Sequence, residues 1–178
     1  MKKMKNKNHG KITLLYKRYV HKRGAFTLAE VLVATVLIGL AIVSLIIANR
    51  AFAQVNGAAV KLTTAEFLID QIRELTMSLD VVDPQGGETF GPETGESLSN
   101  YDDLYDFDGL TFSPPINSGR QQLTDLGAYS QQITVENVDA TNFEQVVLDG
   151  GSPFVRITVR VFINAEELSS RQWLRAIY

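Results

Sequence analysis

The sequence predicts an α+β fold in which one long N-terminal helix packs on a small antiparallel sheet. Three observations support this prediction. Residues 24–48 form an apolar run whose only charge is Glu30, residues 52–79 continue with apolar side chains at spacings of three and four, and residues 129–178 alternate between apolar and polar side chains. The first two patterns are typical of helices and the third is typical of strands.

The apolar run is long enough to cross a membrane. Residues 31–48 are eighteen positions without an ionisable side chain, and at about 1.5 Å per residue they nearly span a bilayer core. We therefore interpret residues 26–53 as the transmembrane half of the helix. Glu30 is the anomaly, because an unpaired charge within the bilayer costs roughly 2.5 kcal/mol or more and needs a partner or a function.

The second half of the helix, residues 54–80, is predicted to be amphipathic and to pack on the sheet. Its apolar stripe recurs every three or four positions: Phe52, Val55, Ala59, Leu62, Ala65, Ile69, Ile72, Leu75 and Leu79. Gly39 and Gly57 each cost up to about 1 kcal/mol relative to Ala in a helix. They are therefore expected to be sites of bending or local melting.

The rest of the chain is predicted to be a loop followed by the sheet. Residues 81–128 are rich in Gly, Pro and Asp, with a short strand or turn expected at 101–112. The sheet is assigned to residues 129–178, where Trp173 is expected to cap the core. Its strands are predicted at 129–138, 143–148, 154–163 and 172–178, with a connection at 164–170.

Charge is distributed unevenly along the chain. Nine of the 17 basic residues precede Phe26 and no acidic residue does, which leaves 8 basic and 20 acidic residues from Phe26 onward, a net charge of −12. The positive-inside rule then places the N-terminus in the cytoplasm and the acidic domain across the membrane. Because this domain would repel phosphate backbones, we expect no nucleic-acid partner.

The residue inventory argues against an enzyme. The chain has no cysteine, and its two histidines, His9 and His21, both lie in the basic N-terminal segment. The domain beyond that segment therefore lacks a thiol nucleophile, a disulfide and the commonest general base. Its glycines do not have the spacing of a phosphate-binding loop. Packing, or a bound ion, must hold the domain together.

An acidic run in the loop offers candidate ligands for calcium, which prefers hard oxygen ligands. The candidates are four aspartates: Asp102, Asp103, Asp106 and Asp108. Their spacing is not that of an EF-hand, because Leu104 stands where the first Asp should be and Pro115 where the final Glu should be. A solvated acidic turn is the alternative interpretation. No other cofactor is expected.

The junction between the basic segment and the apolar run resembles the processing signal of type IV pilins and of the pseudopilins of type II secretion. It reads KRGAFTLAE from Lys22 to Glu30. The resemblance implies that a prepilin peptidase removes the basic leader, residues 1–25, and methylates the new amino terminus at Phe26. The family usually has Gly directly before the aromatic residue, so cleavage after Gly24 and after Ala25 are both open. Cleavage after Ala25 is favoured, because it makes Glu30 the fifth mature residue.

This resemblance implies a structural subunit with a pilin-like roll, either a pseudopilin or a minor pilin. Its partners would be prepilin peptidase, other pilin or pseudopilin subunits and the inner-membrane assembly platform. The subunit would sit in the bacterial inner membrane with its C-terminal domain in the periplasm, and then join a filament in the periplasm or at the cell surface. In such filaments the Glu meets a neighbour's freed amino terminus, so Glu30 would set the register. The stretch 101–115 more loosely resembles minor pilin-like proteins of mannose-sensitive haemagglutinin type.

Three alternatives stay open at this point. Residues 51–53, Ala-Phe-Ala, have the small-x-small form that signal peptidase prefers, which predicts a secreted or periplasmic domain beginning at Gln54. A calcium-dependent tip adhesin that uses the acidic loop is a further interpretation, and it is compatible with a filament subunit. Finally, Glu30 could be a glutamate at the membrane interface that has no partner.

Overall fold

The computed structural model describes residues 24–84 and 90–177. They form helix α1 (Leu28–Met77) and strands β1 (Thr111–Phe112), β2 (Tyr129–Asn137), β3 (Phe154–Ile163) and β4 (Glu166–Ala176), with short 3₁₀ turns at Tyr105–Phe107 and Thr124–Leu126. The strands lie side by side in chain order and every neighbouring pair is antiparallel. The predicted α+β architecture is confirmed. The predicted leader lies outside the described residues except for Gly24 and Ala25.

Helix α1 is continuous over 50 residues, so the helix predicted at 26–79 is confirmed to within two residues at each end. It passes through Gly39 and Gly57 without a break, and an added Cβ at either glycine would meet nothing within 4 Å. The described part of the chain divides into two compact units, with the boundary between residues 48 and 49. Helix α1 contributes to both units, and each is described separately below.

The hydrophobic core belongs to the second unit. Helix α1 buries one face, made of Ala65, Leu68, Ile69, Ile72 and Leu75, in a cluster with alternate residues of the sheet. The sheet contributes Ile133 and Val135 from β2 and Val155, Ile157, Val159 and Val161 from β3. Trp173 of β4 is partly buried against this core, as predicted. The predicted stripe is wrong before Ala65, since Phe52, Val55 and Leu62 are 70%, 65% and 49% exposed.

A buried glutamine joins three parts of the fold. Gln131 of β2 is completely buried, and its side-chain amide donates to the carbonyl oxygens of Leu68 in α1 at 2.9 Å and Ile116 at 3.1 Å. Its Oε1 accepts a hydrogen bond from the Ile116 amide at 2.7 Å. Because every polar atom of the side chain is bonded, the buried amide fixes the helix and the loop against the sheet.

The strand predicted at 143–148 is wrong, because this segment is a loop. Asp139 Oδ1 accepts hydrogen bonds from the backbone amides of Thr141 and Asn142, which makes an Asx-type turn directly after β2. Only an isolated bridge between Val138 and Val146 remains of the expected pairing. Phe143 packs edge-on against Phe154 with 5.2 Å between ring centres.

The connection predicted at 164–170 is also wrong, because β4 begins at Glu166. The chain reverses in two residues, Asn164 and Ala165, which both have positive φ angles of 49° and 68°. Two central residues with positive φ are the geometry of a type I′ hairpin, which matches the twist of the flanking strands. Ala is uncommon at such a position, so the sequence did not signal the turn.

Candidate functional site

The predicted cleavage segment lies just before the helix. Gly24, Ala25 and Phe26 are exposed and outside any helix or strand, and the Phe26 side chain is 84% exposed. An exposed, irregular segment is the kind of backbone that peptidases cleave. The structure therefore leaves this junction accessible.

Glu30 and Thr27 form a capping box at the start of α1. The Glu30 Oε2 atom accepts hydrogen bonds from the Thr27 amide at 3.0 Å and the Thr27 hydroxyl at 3.2 Å, and Thr27 Oγ1 accepts one from the Glu30 amide at 3.2 Å. This reciprocal pair satisfies amide groups that a helix start leaves without partners. The Thr-x-x-Glu spacing was readable in the sequence and explains why α1 begins at Leu28.

The cap uses one oxygen of Glu30. Within residues 24–84 and 90–177, no hydrogen bond reaches the other oxygen, Oε1. Glu30 therefore has a hydrogen-bond partner within its own chain, Thr27. Glu30 itself is exposed.

The first part of α1 presents an apolar surface that nothing in the described chain covers. Helix α1 is long and apolar enough to cross a membrane, with a mean hydropathy of 3.0 in its most apolar window, none of which is buried. The two hydroxyl groups of this stretch are internally satisfied, because Thr35 donates to the Leu32 carbonyl at 2.8 Å and Ser44 to the Leu40 carbonyl at 2.9 Å. Such internal bonding is what an apolar solvent requires of a helix.

A second candidate site lies in the second unit, where the chain turns between α1 and β1. Asp103 Oδ1 accepts a hydrogen bond from the Asp106 amide at 3.1 Å, and Asp106 Oδ2 accepts from the amides of Asp102 at 3.0 Å and Asp103 at 3.3 Å. These bonds build a tight turn that runs into the 3₁₀ segment Tyr105–Phe107. The side chains of Asp103 and Asp106 are 1% and 0% exposed.

The turn is part of a larger group of carboxylates, which we call the acidic cluster: Asp83, Glu93, Glu96, Asp102, Asp103 and Asp106. It consists of three overlapping triads whose carboxylate oxygens lie within 4.8 Å of one another: Asp83-Asp102-Asp103, Glu93-Asp103-Asp106 and Glu96-Asp102-Asp106. Asp106 belongs to two of them. Carboxylates at such distances are able to share a hard cation.

The structure brings together three of the four aspartates predicted as calcium ligands. Asp102, Asp103 and Asp106 belong to the acidic cluster, whereas Asp108 belongs to none of its triads. The Oδ1 atom of Asp108 instead accepts a hydrogen bond from the Val135 amide of β2 at 2.7 Å. Asp108 thus links the turn to the sheet.

Sequence reasoning missed Asp83, Glu93 and Glu96. A signal for them exists, because the stretch between Arg73 and Arg120 contains ten acidic residues and no Lys, Arg or His. An uncompensated acidic segment of this length implies local repulsion or a bound cation. Only the fold shows which of the ten carboxylates lie close together.

Crowding and burial change the protonation of the acidic cluster. Burial raises the pKa of Asp103 to about 6 and that of Asp106 to about 6. The hydrogen-bonded Glu96 carboxyl, together with burial, raises the pKa of Glu93 to about 7, while the same contact with Glu93 lowers the pKa of Glu96. Without a cation, the cluster therefore retains protons into the neutral range.

Comparison of the chain with protein-family models, curated proteins and solved structures finds no match. The resemblance of the N-terminal residues to the pilin and pseudopilin processing signal therefore has no support from these comparisons.

Proposed function

We propose that this chain is a structural subunit of a type IV pilus or type II secretion filament, anchored in the membrane before assembly by the apolar part of α1. The observation that carries the proposal is the exposed surface of residues 31–48, none of which is buried in the chain. A soluble protein rarely leaves so large a continuous apolar surface uncovered. Lipid would cover this surface first, and the helices of sibling subunits would cover it in the filament.

The N-terminal junction supports processing by a prepilin peptidase. Gly24, Ala25 and Phe26 are exposed next to the apolar helix, and nine basic residues precede Phe26. A basic leader held in the cytoplasm would orient the helix with its N-terminus inside and the acidic domain outside. Removal of residues 1–25 and methylation at Phe26 would give the mature subunit.

Glu30 would combine two functions in the assembled filament. Its Oε2 atom caps α1, and its Oε1 atom is left for the amino group of Phe26 in a neighbouring subunit. Opposite charges attract strongly in a low-dielectric core, but each also loses hydration, so the pair would fix the stagger between helices more than it would add stability.

The alternative of an ordinary secreted domain has less support. The small-x-small residues 51–53 lie inside α1, which continues to Met77. Cleavage after Ala53 would therefore require local unwinding of a continuous helix. It would also separate the apolar segment from the domain.

Mass spectrometry of the native amino terminus tests the proposal directly. We expect the purified cellular protein to begin with N-methyl-Phe26. A protein that begins with N-methyl-Ala25 would move the cut by one residue and leave the proposal intact. A chain that still begins at Met1, or that begins at unmodified Gln54, would overturn it.

A further inference from the structure

We propose that the acidic cluster binds one calcium ion through Asp106, Asp103 and Glu93, with Glu96 beside them. This inference concerns the domain between α1 and the sheet. It goes beyond filament assembly and does not depend on the proposed function.

The first argument is a buried oxygen that lacks a partner. The side chain of Asp106 is completely buried, and its Oδ2 atom accepts two backbone hydrogen bonds. Its Oδ1 atom is also buried, yet it has no hydrogen-bond partner among the described residues. Buried carboxylate oxygens normally have donors or a metal ion, so this atom needs either a proton shared with the neighbouring Glu93 and Glu96 carboxyls or a bound cation.

The second argument concerns the charge partners of Glu93, Asp103 and Asp106. In the described ranges 24–84 and 90–177, ion pairs reach Glu66, Asp70 and Glu136 but not Glu93, Asp103 or Asp106. Arg120 approaches this loop, but its guanidinium donates to the carbonyl oxygens of Leu98 at 3.0 Å and Tyr101 at 2.6 Å. Arg120 therefore holds the backbone of the loop and forms no ion pair with Glu93, Asp103 or Asp106.

The chemistry of the donors selects the type of ion. Every candidate side-chain ligand is a carboxylate, and the chain has no cysteine and no histidine beyond His21. Hard oxygen donors of this kind suit calcium or magnesium rather than zinc or copper. Ligands carried by an irregular loop and a turn suit calcium better, because it accepts six to eight oxygens in flexible geometry whereas magnesium demands a near-ideal octahedron.

A calcium ion would add to the hydrogen bonds and ring contacts that hold the loop against the domain. The Gly91 amide already donates to the Tyr105 carbonyl at 2.9 Å, and the rings of Phe90 and Tyr105 stack with 4.0 Å between their centres. The Leu104 amide donates to the Asp80 carbonyl at 3.0 Å, just beyond the end of α1. An ion shared by Glu93 and Asp106 would join the same two segments through their side chains.

Calorimetric titration of the full-length chain in detergent micelles, after treatment with a chelator, tests this site. We expect saturable binding of one calcium ion per chain from CaCl2, and binding of MgCl2 that is weaker by about tenfold or more. Calcium at about a hundred times its dissociation constant should raise the Tm by roughly 5 to 10 °C. Absence of saturable binding, an unchanged Tm, or equal affinity for magnesium would overturn the proposal.

Three variants decide whether the acidic cluster is the site. Asp106→Asn and Glu93→Gln should each weaken calcium binding by about tenfold or more, because each removes a charged ligand. Asp125→Asn is the matched control, since Asp125 is exposed in the other 3₁₀ turn and the change removes the same charge. Equal weakening in the control would show general electrostatic attraction and refute a specific site. If Asp106→Asn does not fold, the more exposed Glu93→Gln still gives the answer.

Discussion

Residues 31–48 and residues 65–76 belong to the same helix, yet they are built for different surroundings. Every residue of the first segment is exposed, whereas the second buries Ala65, Leu68, Ile69, Ile72, Leu75 and Thr76. The two segments therefore differ in what must cover them. No part of the described chain covers the first segment, whereas the second packs on the sheet.

Their hydrogen bonds differ in the same way. In the first segment, the hydroxyl groups of Thr35 and Ser44 bond to carbonyls of their own helix. Near the second segment, bonds cross to distant parts of the chain, because Arg171 pairs with Glu66 and Asp70 and Arg175 donates to the Thr76 carbonyl at 2.7 Å. The first segment is thus complete in itself and suits lipid, while the second is fixed to its own sheet.

A matched pair of leucines gives the largest expected effect. Leu68→Ala should lower the free energy of unfolding by about 3 kcal/mol, because Leu68 is fully buried and the change leaves a cavity. For a domain of this size the Tm should fall by roughly 10 °C. Leu40→Ala should change it by less than about 0.5 kcal/mol, since Leu40 is 61% exposed.

The fluorescence of Trp173, the only tryptophan, reports this transition, because its side chain lies against the core. Equal destabilisation by Leu68→Ala and Leu40→Ala would mean that the two segments melt as one unit. The contrast drawn from their burial would then fail.

A smaller effect is expected from pH, and it belongs to the second segment's domain alone. The pKa values of Glu93, Asp103 and Asp106 are raised in the folded chain, so between about pH 4 and pH 7 the folded state binds more protons than the unfolded state. Stability is therefore highest at the acid side of this window and falls as pH rises. Glu96 and Asp139, whose pKa values are lowered, are ionised in both states above pH 5 and do not offset the fall.

In chelator-containing buffer, the Trp173 transition should occur at a lower temperature at pH 8 than at pH 5. The far-UV signal of the apolar segment should show no such dependence, because residues 31–48 carry no ionisable side chain. A Tm that rises between pH 5 and pH 8 would contradict the raised pKa values.

The sequence predicted those features that depend on local periodicity. Helix α1, strand β2 and strand β3 were found because apolar residues repeat every three to four or every two positions over many residues. The sequence did not predict the Asn164-Ala165 turn, because the turn lacks the glycine that usually marks such hairpins. The segment 143–148 has the composition of a strand, but after the Asp139 turn its pairing is limited to one bridge between Val138 and Val146.

The candidate site was only partly predictable for a related reason. Asp102, Asp103 and Asp106 stand close together in the sequence, so local reasoning finds them. Glu93 and Glu96 come from a separate loop segment, and only the packing of that loop against the turn brings them to Asp106. Asp108 was predicted as a ligand because it is close to the other three aspartates in the sequence. In the fold, its carboxylate instead accepts a hydrogen bond from the Val135 amide of β2.

The smallest expected effect on stability concerns the start of the first segment, where two variants separate the cap from the charge. Thr27→Ala should cost about 1 kcal/mol locally, because it removes the hydroxyl that caps α1 while keeping the Glu30 carboxylate. Glu30→Gln should preserve the capping box, which accepts Gln in place of Glu, but it removes the charge. Faster amide exchange over residues 28–31 should follow Thr27→Ala alone, and the Trp173 transition should stay unchanged in both variants.

Filament incorporation should show the reverse pattern, with Glu30→Gln impaired and Thr27→Ala close to wild type, because stagger depends on charge. Normal assembly of Glu30→Gln would show that Glu30 is only a helix cap.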